Sequence, residues 1–276
     1  MTTAGGRLFV SDIDGTLLTP DKQLTTAALQ AVASLRAAGV PFSVVSSRPA
    51  RGMAKVLQAL GVTIPYAAFN GGNVMDPAGG VLKAHRLAPD AAVAALDLLR
   101  RAGVQPWVFV DDAWLLADRD GPNVERERRT VGFDPTLVRG FATVIGRVDK
   151  IVAASNDYAL LDRVEAELRS ALGAGANVER SQAYYVDVTH PLANKGEAVR
   201  AIAAHVGVDL ADTVVIGDMT NDIAMFRVAG FSIAMGQAPE RVQGEASAMT
   251  AANSDDGFAK AVASLVLPRL AAAKAG

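Results

Sequence analysis

Two carboxylates, Asp12 and Asp14, stand one residue apart where the apolar run "RLFVSDIDGTLL" (7–18) ends, with Gly15 directly behind them. Three other segments bring polar side chains to comparable places: Ser46, Ser47 and Arg48 after "PFSVV", Lys195 at the head of "KGEAVRAIAAHVG", and Asp218, Asn221 and Asp222 in "TVVIGDMTND". Singly, each has an ordinary explanation. An Asp-x-Asp can be an Asx turn, a Ser-Ser after a strand can be a helix cap, and a Lys before a helix is usually solvated. At one mouth they mean more. Carboxylates about 4 Å apart repel by ~4 kcal/mol at an effective dielectric near 20, so Asp12, Asp14, Asp218 and Asp222 together need a cation. All-oxygen ligation selects a hard ion, Mg²⁺ before Ca²⁺. Mg²⁺ held by few carboxylates completes its shell with water and phosphate oxygens.

That set suits phosphoryl transfer. A carboxylate can act as the nucleophile and carry the group as an aspartyl-phosphate. Mg²⁺ and Lys195 supply positive charge, and Ser46 with backbone N–H groups after the first run binds the equatorial oxygens. Asp14, two residues from Asp12, can protonate the leaving oxygen and then activate water.

The elements that must position these residues are visible as a pattern. "RLFVSD", "PFSVVSS", "YAAFNGG" and "TVVIGD" read as strands buried on both faces of a parallel sheet. Helical patterns lie between them: "TTAALQAVASLRAAG", capped by Thr25 or Thr26 and stopped at Gly39, then "ARGMAKVLQALG", "KGEAVRAIAAHVG" and "NDIAMFRVAG". Alternating strand and helix predict a doubly wound α/β core, and ligands in such sheets bind beyond the carboxyl ends of the strands. The middle of the chain alternates differently. "QPWVFVD" with "AWLLAD", "RVDKIVAAS", and "ANVERS" with "AYYVDVT" read as antiparallel strands beside the helices "DAAVAALDLLRRAG" and "DYALLDRVEAELRSAL". This predicts an inserted α+β domain over 84–188 with one solvated sheet face. The core would then comprise 1–83 and 189–276.

At the four polar segments the chain resembles the haloacid dehalogenase superfamily: "DIDGT", Ser46 in "VVSSR", Lys195 in "NKG" and "GDMTND" stand in that family's order. "FNGG" is similar to the Asn-Gly segment of the Cof-type branch, and the insert to that branch's type IIB cap. The resemblance implies a Rossmann-like core, Asp12 as nucleophile and Asp14 as acid/base. It implies Mg²⁺ on the Asp12 side chain, the Asp14 carbonyl and Asp218, with Asp222 supporting the shell or orienting Lys195. Ser47, Arg48, Asn70, Gly71 and Asn221 join the expected substrate-binding set, Asn221 either at phosphate or holding the cap fold. Family members commonly have Thr-Gly-Arg where this chain has Ser46-Ser47-Arg48, so Ser47 adds bulk at the mouth.

Composition narrows the function classes. A formal net charge of −2 lacks the basic excess of a non-specific nucleic-acid binder. With no cysteine there is no disulfide scaffold or thiolate zinc site, which fits a reducing, cytoplasmic setting. "MTTAGG" does not read as a secretory leader, no run is long and apolar enough for a bilayer, and the tail "PRLAAAKAG" reads as a fraying helix end. The expected activity is a Mg²⁺-dependent phosphatase for a sugar phosphate or phosphorylated cofactor, working as a monomer or weak homodimer. A phosphomutase, or a non-catalytic sugar-phosphate-binding regulator, stands as the alternative. In the insert, Asp112, Trp114, Arg119, Arg180, Tyr184 and Asp187 are candidates for choosing the substrate. Trp107 and Trp114 suit a core better than a cleft. "PNVERERRTVG" (122–132) reads as a solvated face or as a basic lip, His190 as a cleft residue or a bystander, and His205 as structural. Arg48 either contacts substrate or pairs with a carboxylate of "GDMTND".

Overall fold

The computed structural model describes residues 7–269. The expectations for "MTTAGG" and for most of "PRLAAAKAG" therefore lie outside the described residues. β1 (Leu8–Ser11) is buried along its whole length and is the centre of the core sheet. It pairs in parallel with β12 (Thr213–Gly217) on one side and β2 (Phe42–Val44) on the other. β13 (Phe231–Ala234) and β14 (Ala248–Met249) extend the sheet beyond β12, giving the order β14-β13-β12-β1-β2. The chain runs outward from β1 through β2 and returns on β1's other side, so the switch point lies between β1 and β12.

Helices cover both faces. α1 (Thr26–Ala37) starts where the Thr25 hydroxyl accepts the Ala28 N–H, and buries Ala28, Ala31, Val32 and Leu35 at helical spacing. α2 (Ala54–Leu60) is shorter than its sequence pattern because residues 50–53 form a 3₁₀ turn. α6 (Lys195–Val206) is capped by Asn194, which accepts from Glu197 N–H, so Lys195 is its first residue. α7 (Ile223–Phe226), α8 (Glu240–Gln243) and α9 (Gly257–Ala261) complete the layers.

"YAAFNGG" keeps a parallel place beside β2: β3 (Tyr66–Ala68) meets β2's continuation through the parallel Val45–Ala67 bridge, with the Ser46 N–H donating to the Ala67 carbonyl at 3.0 Å. Left-handed backbone at Phe69 and Asn70 then turns the chain back, and β3 forms an antiparallel sheet with β4 (Asn73–Met75) and β5 (Val81–Ala84).

The insert follows. α3 (Pro89–Arg101), β6 (Pro106–Val110), β7 (Ala113–Leu116), α4 (Val124–Val131), β8 (Thr136–Leu137), β9 (Lys150–Ala154), α5 (Tyr158–Leu172), β10 (Asn177–Gln182) and β11 (Tyr185–Thr189) build a sheet ordered β10-β11-β9-β6-β7-β8. All pairs are antiparallel except β7–β8. Ala84 stays paired in the core's β5, and Thr189 is paired in the insert's β11. The expected solvated sheet face is not solvated. α3 and α5 pack on Val108, Val110, Ile151, Ala153, Val186 and Val188, while the opposite face carries Trp107, Phe109, Trp114 and Tyr185 into the same apolar cluster as α4 and the core domain. Phe109 stands 5.8 Å from core Phe69, ring centre to ring centre. Covering both faces is why β6 reads as a continuous apolar run.

Trp107 and Trp114 are cap core as expected, 1% exposed each, with Trp107 edge-on to Trp114 and Tyr185. Trp107→Ala should lower stability by about 3–5 kcal/mol, read by chemical denaturation. A loss under about 1 kcal/mol would mean that this face is not packed as described.

Candidate active site

Parallel pairing delivers the first and fourth motifs to one point. Val10 lies beside Val215 and Ser11 beside Ile216, and the Asp12 N–H donates to the Ile216 carbonyl at 3.0 Å. Asp12 and Asp218 therefore leave neighbouring strands side by side. Gly15 lies behind them at φ +87°, and a Cβ there would collide with the Asp218 carboxylate, so only glycine lets the two loops approach so closely.

Lys195 Nζ sits between Asp12 Oδ1 and Asp222 Oδ1, 2.6 Å from each, and all three residues are buried. The other oxygen of Asp222 accepts the N–H groups of Asp218 and Met219 at 2.8 Å. Both Asp222 oxygens are thus engaged, and its geometry is that of a residue orienting Lys195 and the fourth-motif turn. Carboxylate oxygens of Asp12, Asp218 and Asp222 fall within 4.8 Å of one another. Burial pushes Asp12 up to about 7 against the pull of Lys195, with Asp222 adding to the rise. Burial also raises Asp218, and Asp12 and Asp222 raise it further. Asp12 and Asp222 hold Lys195 in its charged form despite burial. Three buried carboxylates against one ammonium leave room in charge for a cation, and the all-oxygen donor set suits Mg²⁺.

Asp14 is placed differently. Its side chain does not join the acidic group; Arg48 holds it through two bonds, Nε at 2.6 Å and Nη2 at 2.7 Å, and Lys22 through a third at 2.7 Å. Burial alone would raise it, but Arg48 and Lys22 override that and keep it well below the usual carboxylate range. The Asp14 side chain offers the acidic cluster no oxygen, because its oxygens are taken by cations, which leaves its carbonyl as the expected metal contact. Of the two roles expected for Arg48, pairing with the fourth motif is not what the structure shows: its planar fork meets both oxygens of Asp14 in the first. Arg48 also donates to the Thr130 carbonyl in the insert at 3.0 Å.

Ser46 is buried, and its Oγ accepts the Arg48 N–H at 3.2 Å. Asn221 Nδ2 donates to Asn70 Oδ1 at 3.0 Å, tying the turn after β3 to the fourth motif. A Cβ at Gly71 would press on the Asn194 carbonyl and on Ala198, so its glycine has a packing reason at the start of α6.

The insert closes over this mouth. Asp14, Lys22, Ser47, Arg48, Glu127 and Lys150 line an inner cavity of about 30 Å³, too small for a substrate, so ligand entry requires the insert to move. Lys150 Nζ donates to the Ser47 carbonyl at 3.0 Å and meets Asp187 at 3.4 Å. Among the expected substrate-choosing residues, Tyr184 lines this cavity. Trp114 is core, Asp187 is buried against Lys150, Arg180 pairs with Asp162 and Glu165, Arg119 donates to the Pro135 carbonyl, and Asp112 lies near the Arg51 N–H. His190 stacks on His85 at the domain crossings, ring centres 5.0 Å apart.

Sequence reading missed Lys22, Thr16, Gln237, Glu127 and Lys150. Thr16 donates to Asp218 and Gln237 to the Gly15 carbonyl. Only Thr16 carried a signal, as the last residue of "DIDGT". The "PNVERERRTVG" run is not a solvated face throughout. Val124, Glu127 and Val131 of α4 turn inward at spacings of three and four, while Arg128 and Arg129 pair outside with Glu125.

Comparison with known proteins finds relatives over most of the chain. Residues 9–262 match the family model described as haloacid dehalogenase-like hydrolase. An HMP-PP phosphatase of Cronobacter sakazakii is 31% identical over 239 residues, 87% of either chain. A putative phosphatase of Streptococcus pyogenes is 26% identical over 95% of this chain and 98% of its own. Two solved structures share the fold. A haloacid dehalogenase-like hydrolase from Bacteroides thetaiotaomicron superposes with a TM-score of 0.83 at 24% identity, covering 94% of this chain and 98% of its own. The subclass IIB sugar phosphatase BT4131 has the same score at 22% identity, over 93% and 98%.

Crowding among the carboxylates sets an expected trade. In EDTA at about pH 8, above the raised Asp12, Asp218→Asn should melt above wild type, because one of three repelling carboxylates is gone. Mg²⁺ at about a hundredfold excess over its Kd should stabilise wild type by about 2.7 kcal/mol and the variant far less. Thermal melts with Mg²⁺ and with EDTA read both. An equal Mg²⁺ gain in the two proteins would remove Asp218 from the ligand set.

Proposed function

The chain belongs to the haloacid dehalogenase-like hydrolases, and from that premise we propose that it hydrolyses small phosphomonoesters with Mg²⁺ bound, through an aspartyl-phosphate on Asp12. That it is a phosphatase follows from the family and its named relatives. The metal, the intermediate and the substrate are our reading. One observation carries it. Asp12 is a buried carboxylate held by Lys195 beside Asp218, with a second carboxylate, Asp14, two residues on at the same closed cleft.

In this reading Asp12 attacks phosphorus, the bond from phosphorus to the leaving oxygen breaks, and Asp14 gives that oxygen its proton. Asp14 then takes a proton from water as the water oxygen attacks phosphorus, releasing phosphate and restoring Asp12. Lys195 holds Asp12 in place and offsets the charge gathering on the phosphoryl oxygens. Ser46 and Asn70 are the donors for those oxygens, and Asn221 fixes Asn70. Asp12, the Asp14 carbonyl and Asp218 would hold Mg²⁺, which would supply further neutralisation of charge on the phosphoryl group. Arg48 and Lys22 keep Asp14 ionised while the cleft is closed and empty. Incoming phosphate competes for these two cations, which frees Asp14 to take up the proton it later donates.

The substrate class we favour is a sugar phosphate or a phosphorylated cofactor. Relatives named for HMP-PP and a fold neighbour named for sugar phosphates support that range. Among the described residues no helix is long and apolar enough to cross a membrane. We place the enzyme in the cytoplasm, as a monomer or weak homodimer.

Phosphate release from a panel of phosphorylated sugars and cofactors, with Mg²⁺ and with EDTA, tests the reading. Asp12→Asn should lose at least about a thousandfold in kcat, and Asp14→Asn about a hundredfold to ten-thousandfold. Isomer in place of free phosphate would make the enzyme a mutase. Full activity in Asp12→Asn would remove the covalent route.

A further inference from the structure

Resting on the phosphatase reading, we propose that Glu127, carried by the cap helix α4, reads the leaving group and selects ones that present a hydroxyl or amino donor over ones that carry a second anion. The sequence around it is a run of charges, yet the helix buries Glu127 to 7% exposure between Val124 and Val131. It lines the inner cavity together with Asp14. Because Asp14 is placed to serve the leaving oxygen, the part of the substrate that must meet Glu127 is the leaving group.

The charges around that cavity are unequal in their engagements. Arg48 is committed to both oxygens of Asp14 and to the Thr130 carbonyl. Lys22 is committed to Asp14. Lys150 lies between Asp187 and the Ser47 carbonyl. Glu127 makes no ion pair among the described residues. The Tyr185 hydroxyl is the hydrogen-bonding group that faces it. A carboxylate has room for several donors, and this one opens onto the space a leaving group must fill. A hydroxyl or amino group there would take up that remaining capacity. With Arg48 and Lys22 drawn to the phosphoryl group being transferred and Lys150 held by Asp187 and the Ser47 carbonyl, a second carboxylate or phosphate on the leaving group would meet Glu127 first, so the same residue rejects as well as selects. The arginines of α4 do not change this balance. Arg126 stacks on the Tyr184 ring, and Arg126 and Arg129 line an adjoining outer cavity that shares Lys22, Thr130 and Tyr184 with the inner one, whose own lining includes neither arginine.

The experiment compares kcat/KM within size-matched pairs: glycerol 3-phosphate against 3-phosphoglycerate, and glucose 6-phosphate against 6-phosphogluconate. Wild type should prefer the uncharged member of each pair by about tenfold to a hundredfold, the scale of one hydrogen bond to a charged group. Glu127→Gln keeps the shape but presents an amide N–H₂. It should narrow or invert the preference, chiefly through KM, with a melt confirming the fold. Equal use of both members by wild type would overturn the proposal, and so would an unchanged ratio in the variant. If the variant fails to fold, the wild-type ratios decide. Acetyl phosphate, whose leaving group is too short to reach Glu127, separates the two levels. Mg²⁺-dependent release from it without selectivity in the pairs sinks the Glu127 assignment alone. No release from any compound sinks the phosphatase reading beneath it.

Discussion

Like charges held close together out of water are the constraint on which this structure turns. Asp12, Asp218 and Asp222 are brought together at the carboxyl ends of β1 and β12, with one ammonium, Lys195, among them. Nothing in folding favours such a group by itself, since burying several carboxylates costs more than one ion pair returns. The surrounding structure is arranged to tolerate it. Asp222 takes two backbone N–H groups, Thr16 and Gln237 steady Asp218, and Asn194 caps α6 so that Lys195 enters from a helix start. The residual repulsion shows in the raised Asp12 and Asp218, and the three carboxylates could hold a cation between them.

Asp14 shows the opposite solution only two residues away. There Arg48 and Lys22 overcompensate a single carboxylate. Because Arg48 also donates to the Thr130 carbonyl, the group that holds Asp14 is tied to the cap as well. The cap's apolar face, with Phe109 against Phe69, provides the burial that favours closure, while Lys150 and Arg48 provide direction. The division is physically sensible. Apolar contact is strong but indifferent to register, and hydrogen bonds to single carbonyls fix it.

Much of this architecture is legible in the residue pattern. β1 and β12 are readable because strands buried on both faces leave uninterrupted apolar runs, and the helices between them end at glycines that the chain needs for left-handed caps, as at Gly61 and Gly207. The four polar segments are readable because they follow such runs. The expectations that failed did so for physical reasons. β3 keeps its parallel bridge to β2's continuation, but the antiparallel hairpin it also makes with β4 was not read, because left-handed backbone at Phe69 and Asn70, neither of them glycine, turns the chain back. The cap sheet was expected to have a wet face because polar residues alternate in β10, yet that alternation does not extend to β6, which two packed faces enclose. Glu127 is hidden in a run of charges whose composition says surface, while its spacing from Val124 and Val131 says interior.

From the sequence alone came the chemistry on offer: which carboxylates, which lysine and which hydroxyl stand at strand and helix ends, and that their convergence would require a cation. Those properties are local, set by residue type and by the few positions around each. Only the tertiary structure decided how each group is engaged. That Arg48 serves Asp14, that Asp222 divides its oxygens between Lys195 and backbone, and that Glu127 faces the cleft without an ion partner all depend on contacts between residues far apart in the chain. Pairing of that kind depends on distances of a few ångströms between separate elements, and no spacing along the sequence encodes them.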